Sequence, residues 1–255
     1  MRRIAMMGLL AWVFGILPGC QSVWERRPVV RAYIVHHAAG VFKKLVPEFE
    51  RETGIRVDAT YACRRNMYQI LSTNRDGDLY VTSSPANLEK AKQDGLTVGP
   101  VVTVGELVPV IEVARGNPKR IMGLADLAKP GVRLCLGSEK ACMGRVTDKI
   151  LAKNNLAEKI APNILSRIKG EVNIAKSVDG EKVDATIVWL STIYDVGDPL
   201  TGAVPIPAEQ NVIDPIGAVV LNTGKHAAGA QRLLGFIGSP KAQKILAEGG
   251  LKRGL

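Results

Sequence analysis

The stretch VVRAYIVHHAAGVFKKLVPEFERETGIRVDATYACRRNMYQIL, Val29–Leu71, decides the fold class. Val29–Val35 is an apolar run of strand length. After His36 and His37, the segment Ala39–Glu52 places Phe42, Leu45, Val46 and Phe49 at the three-and-four spacing of a helix with one buried face. Gly54 is a helix stop, because it adopts the left-handed conformation without a side-chain penalty. Arg56–Ala62 (RVDATYA) then reads as a second strand and Arg64–Leu71 as the start of a second helix. Strand, helix, strand and helix in so short a span imply parallel pairing, since parallel strands need a crossover and the helix supplies it.

The same alternation continues outward. Asp78–Val81 (DLYV) reads as a third strand, and Pro85–Asp94 as a helix halted at Gly95. Leu107–Val113 (LVPVIEV) is an apolar strand closed by Gly116-Asn117-Pro118, followed by a short helix over Leu124–Ala128. Val132–Leu136, Ala185–Leu190 and Ile216–Leu221 read as further strands, and Gly144–Asn154 as a helix. Ala227–Gly235 and Lys241–Glu248 close the chain as helices, with Ser239-Pro240 as cap and first-turn proline. The pattern predicts an α/β protein with twisted parallel sheets covered by helices.

Composition narrows the function classes. The chain has 255 residues, 46% hydrophobic and 23% charged, as a globular protein does. Its net charge of +10 favours anionic partners. The basic residues are spread along the chain, and no zinc-finger spacing, RNA-binding aromatic motif or basic helix accompanies them, so nucleic acid is not an expected partner.

Residues 1–20 read MRRIAMMGLLAWVFGILPGC. A charged start precedes an apolar run too short for a comfortable membrane span and of the length of a signal-peptide core. Leu17-Pro18-Gly19-Cys20 resembles a bacterial lipobox, which implies a leader over 1–20, lipid attachment at Cys20 and a polar tether over 21–28. The expected location is periplasmic or at the cell surface, held to the membrane by the lipid. Cys63, Cys135 and Cys142 remain, an odd number that cannot pair fully.

Several segments together resemble the molybdate/tungstate-binding family of periplasmic receptors, and more closely a lipoprotein branch of it. They are FERETGIRVDATY (Phe49–Tyr61), GDLYVTSSPANLEKAKQDGL (Gly77–Leu96), the long run Val108–Arg145, ATIVWL (Ala185–Leu190) and FIGSPKAQKIL (Phe236–Leu246). The resemblance implies a type II periplasmic-binding-protein fold: two α/β lobes, a hinge of two crossovers and a ligand in the cleft between them. Lobe one is expected over 29–105 plus 224–255, and lobe two over 106–223. It also implies a solute-binding component of an ABC importer, with a small molybdate-like anionic solute and an ABC permease as partners. No cofactor, no enzymatic activity and a monomer are expected. A solute sensor for a signalling partner is the alternative.

The resemblance places the pocket at four turns. Where the family has small hydroxyl residues, this chain has His37 and Cys63. The third turn falls at Met143-Gly144, directly after Cys142, and the fourth at Trp189 and Thr192. His36, Arg64 and Arg65 adjoin these positions. Such a set suits an oxyanion held by arginine forks and backbone N–H groups. It also admits a soft metal or metalloid on His37, Cys63 and Cys142, or an organic anion. The same residues read as structure too: His36-His37 as a polar turn, Cys63 as a small packed residue, Cys135 as core, Arg64-Arg65 as a solvated helix start. A Cys63–Cys142 disulfide would pin the lobes together. No hydrolase elbow, zinc-protease motif or P-loop is present; Cys63 with His37 is the candidate pair for a thiol enzyme.

Overall fold

The structure, a computed structural model, describes residues 28–179, 183–196 and 201–251. The leader, Cys20 and the tether up to residue 27 lie outside the described residues. The strands are β1 (Val29–Val35), β2 (Arg56–Ala62), β3 (Leu79–Thr82), β4 (Thr97–Leu107), β5 (Pro109–Val113), β6 (Leu134–Gly137), β7 (Ile164–Ile168), β8 (Ala185–Trp189), β9 (Gly202–Pro205) and β10 (Asp214–Leu221). Between them run the helices α1 (Ala39–Thr53), α2 (Arg64–Asn74), α3 (Pro85–Gln93), α4 (Cys142–Lys153), α5 (Ala157–Ile160), α6 (Glu171–Asp179) and α7 (Leu190–Val196); α8 (Ala227–Ile237) and α9 (Pro240–Glu248) end the described chain.

Two five-stranded sheets result, ordered β2-β1-β3-β10-β4 and β7-β6-β8-β5-β9. They share one plan. Three parallel strands lie side by side, a fourth is antiparallel to them, and a fifth pairs antiparallel with the fourth. In each sheet the fourth strand is the one the chain enters on crossing from the other sheet: β5 after β4, and β10 after β9.

That plan corrects one expectation. The expected bounds place Ile216–Leu221 in the second lobe, but β10 is hydrogen-bonded between β3 and β4 and so completes the first sheet. The single strand expected over Leu107–Val113 also divides. Leu107 ends β4, Pro109 begins β5, and Val108 is the crossover between sheets. The short helix at Leu124–Ala128 is a 3-10 turn.

Local sequence explains the helices. On α1 the stripe Val41, Phe42, Leu45, Val46 and Phe49 is buried, and Gly54 ends the helix in the left-handed region at φ 69°. Phe49 meets Phe236 of α8 with ring centroids 5.6 Å apart; burying one such side chain is worth about 1.5–3 kcal/mol. Ser84 and Ser239 cap α3 and α9 by accepting backbone N–H bonds from Asn87 and Ala242, each ahead of a first-turn proline.

The two crossovers are tied to each other. The Asn211 side chain, 3% exposed, donates to the Pro109 carbonyl at 2.9 Å and to the Ile206 carbonyl at 3.3 Å. Its own oxygen accepts from the Val212 N–H at 2.8 Å. One amide thus binds the strand entering the second sheet to the segment leaving it.

Candidate functional site

The C-terminal ends of the parallel strands face one another across a cleft, where open α/β sheets bind ligands. His37 stands in the 3-10 turn between β1 and α1 on the first lobe. Cys63 occupies the N-cap position of α2, at the end of β2. From the second lobe, Cys142 is the first residue of α4 and Glu171 the first of α6. These four border a cavity of about 330 Å³, with His36, Arg65, Asn66, Lys140, Met143 and Arg145.

At its centre is a charge cluster. His37 Nδ1 lies 2.8 Å from Glu171 Oε1 and 3.0 Å from Oε2, with the imidazole side chain only 4% exposed. The indole N–H of Trp189 donates to Glu171 Oε1 at 3.3 Å. The Trp189 ring lies 5.7 Å from the His37 ring, tilted by 49°. The Cys142 thiol borders the same cavity as the imidazole. Burial acts to lower the His37 pKa, but the neighbouring Cys142 and the Glu171 carboxylate outweigh it and push the value up to about 9. His37 is therefore an imidazolium at neutral pH. It in turn holds the Cys142 thiol below its ordinary value against the opposing effect of burial, and the Arg64 and Arg145 charges add to the lowering. The Arg145 guanidinium lies 3.5 Å from Cys142 Sγ.

The predicted residues divide into three sets. His36, His37, Cys63, Cys142 and Met143 do come to one cleft, joined by Arg65. Thr192 borders a neighbouring cavity of about 170 Å³ that shares His36, His37 and Glu171. Trp189, Gly144 and Arg64 are supporting residues. Trp189 is 1% exposed and orients the carboxylate. Gly144 packs α4 on the end of β6 so closely that a Cβ there would collide with the Ser138 carbonyl oxygen. Arg64 Nη1 pairs with Asp214 Oδ2 at 3.2 Å, at the start of β10. Cys135 is buried beside Val178 and Val183, as core.

Among the described residues no three His, Cys, Asp or Glu side chains are grouped as a metal ion requires. His37, Cys63 and Cys142 line one cavity without forming such a group. The thiol that His37 holds below its ordinary pKa is that of Cys142.

Sequence reading missed Glu171, Lys140 and Arg145. Glu171 follows β7 and Gly170, whose φ of 88° is a left-handed turn ahead of α6. The GEVN run at 170–173 carried that signal, a glycine break followed by an acidic first turn.

The model of the bacterial extracellular solute-binding protein family matches residues 30–252. The chain belongs to that family. Among curated relatives of this solute-binding protein, the molybdate-binding protein ModA of Mycobacterium tuberculosis is 23% identical over 227 residues, spanning 88% of this chain and 85% of its own. Two solved structures are similar in fold. The substrate binding domain assigned to a molybdenum ABC transporter from Clostridium difficile has a TM-score of 0.78 at 16% identity, over 89% of this chain and 99% of its own. PEB3 of Campylobacter jejuni with L-phospholactate bound has a TM-score of 0.70 at 18% identity, over 88% of this chain and 100% of its own. At such identities the likeness is one of fold: two lobes of the type II periplasmic-binding architecture.

Proposed function

We propose that this protein captures a small anionic solute between its lobes, outside the cytoplasm, and delivers it to an ABC permease while a lipid at Cys20 holds it to the membrane. The observation that carries the reading is the charge on the cleft walls. Arg65, Lys140 and Arg145 line the cavity, and the acid among its lining residues, Glu171, is already engaged by His37 and Trp189. Positive charge is thus left to meet the ligand. Arginine forks recognise oxygen anions in two-point fashion, and the N-termini of α2 and α4 aim backbone N–H groups at the same space. A solute that contacts both lobes binds the closed arrangement better than the open one and shifts the balance towards it.

The first ligand reading is a molybdate-like oxyanion, from the curated relatives. A second has its own support. A cleft of about 330 Å³ falls within the range used for organic ligands, so a phosphorylated or carboxylated small molecule also fits. Calorimetric titration of the purified protein against molybdate, tungstate, sulfate, phosphate and phospholactate separates the two. Saturable binding of a free oxyanion supports the first, and binding of phospholactate alone supports the second. Heat-free titrations throughout, with no thermal stabilisation by any of the five, would remove the anion reading. A ligand at one hundred times its Kd is expected to stabilise the protein by about 2.7 kcal/mol.

A further inference from the structure

We propose that the captured solute is bipolar: an anionic head, phosphate or carboxylate, with a hydroxyl or ammonium donor a few bonds away. The inference rests on the anion reading above and narrows it. Free molybdate and sulfate, which carry no hydrogen to donate at neutral pH, fall outside the class.

The two adjoining cavities differ in charge. The larger, of about 330 Å³, has Arg65, Lys140 and Arg145 on its wall and Glu171 as its acid. The smaller, of about 170 Å³, has two acids, Glu171 and Asp195, and no lysine or arginine among its described lining residues. Glu171 borders both, so the wall turns from cationic to acidic across one side chain. The elements fix this polarity. Arg65 stands in the first turn of α2 and Arg145 in that of α4, whereas Asp195 belongs to α7. The Asp195 carboxylate lies against Gly40 of α1, where a Cβ would collide with its Oδ1. The missing side chain at Gly40 is what lets the acid sit there.

Glu171 has acceptor capacity to spare. A carboxylate offers about four lone-pair sites. Among the described residues two donors reach it. His37 Nδ1 lies 2.8 Å from Oε1 and 3.0 Å from Oε2, and the Trp189 indole N–H donates to Oε1 at 3.3 Å. The Glu171 side chain is still 16% exposed. Set against a fully ionised oxyanion, such an acceptor repels it, because neither side brings a hydrogen. Set against a hydroxyl or an ammonium it completes a bond, and a site built to meet that donor rejects the analogue lacking it.

Calorimetric titration of the purified full-length protein with two matched pairs tests the inference. Glycerate phosphorylated at its second carbon is phospholactate with one added hydroxyl, and phosphoethanolamine is ethyl phosphate with one added ammonium. The donor-bearing member of at least one pair is expected to bind about tenfold or more tighter than its partner, and the pair that shows the difference identifies the donor. Glu171→Gln combined with Asp195→Asn is expected to bring that ratio close to one. If the double variant does not fold, Asp195→Asn alone, at an exposed position, should shrink it. Three results overturn the inference and leave anion capture standing: equal binding within both pairs, a ratio undiminished in the folded variant, or molybdate or sulfate binding more tightly than all four probes. Absence of binding by every probe and every free oxyanion overturns both.

Discussion

Glu171 presents both carboxylate oxygens to His37 Nδ1, at 2.8 and 3.0 Å, from the opposite lobe. The two side chains form a strut across the cleft, and the residues around it sort by their relation to it. Trp189 aims the acid, Cys142 borders the same cavity, and Arg65 and Lys140 stay outside the pairing.

Glu171→Gln tests the strut. The amide keeps a polar contact but loses the charge that raises His37. A loss of about 1–3 kcal/mol in urea unfolding at neutral pH is expected, with the His37 ring titrating nearer its ordinary value in a proton NMR series. An unchanged His37 titration would show that the acid does not set its charge.

The pH dependence follows from two opposed shifts. His37 titrates near 9 when folded against an ordinary 6.5, so the stability it contributes is complete below 6.5 and is lost as pH rises through about 9. Cys142 is shifted downward from 9.0, so its contribution is complete above 9.0 and is lost as pH falls through the lowered value. In the wild type the two trends oppose each other between the lowered Cys142 value and 9. Cys142→Ser removes the rising trend and also the largest effect that raises His37, leaving Glu171 to raise it alone, so a weaker fall of stability with rising pH is expected. Unfolding midpoints between pH 6.5 and 9 should separate the two proteins; parallel curves would contradict the coupling of Cys142 to His37.

Reversing the exposed cations tests the anion reading. Arg65→Glu combined with Lys140→Glu is expected to weaken solute binding by about tenfold or more and to flatten its dependence on salt. Calorimetry at two ionic strengths reads both effects. The two side chains lie on the surface, so the fold should persist.

Asn211→Ala should cost about 1–3 kcal/mol, because the Val212 N–H loses its acceptor and the Pro109 and Ile206 carbonyls lose their donor. It should also loosen the angle between lobes, visible as a broader solution-scattering envelope. A destabilised protein of unchanged scattering would restrict Asn211 to a packing role.

Gly144→Ala is a steric test. The added methyl meets the Ser138 carbonyl, and about 1–3 kcal/mol of stability should be lost as α4 lifts from β6. Cys142, two residues away, should become more accessible to thiol reagents in the same variant.

Much of this molecule is legible in its sequence where periodicity is strong. The α1 stripe from Phe42 to Phe49 and the apolar β1 announce themselves, and so do the serine–proline starts of α3 and α9. β4 does not, because Val98, Gly99, Pro100 and Val101 alternate no clear inner and outer face and are exposed along an edge. Nor does the destination of β10, since hydrophobicity tells that a strand is buried but not which sheet buries it. The site divides in the same way. His37 and Cys142 stand at positions that the family resemblance marks. Glu171 acts through a contact 134 residues distant in sequence, which no local pattern encodes.

The interposed place of β10 has a consequence for the order in which the chain assembles. Until Asp214–Leu221 has been synthesised, β3 and β4 have no strand between them, and the first sheet keeps two open hydrogen-bonding edges. The N-terminal lobe therefore cannot close as an early, independent unit; it waits for nearly the whole chain. Such late closure leaves the first sheet incomplete while the rest of the chain is being made. It also means that fragments ending before residue 214 should aggregate rather than yield a half-sized binding domain.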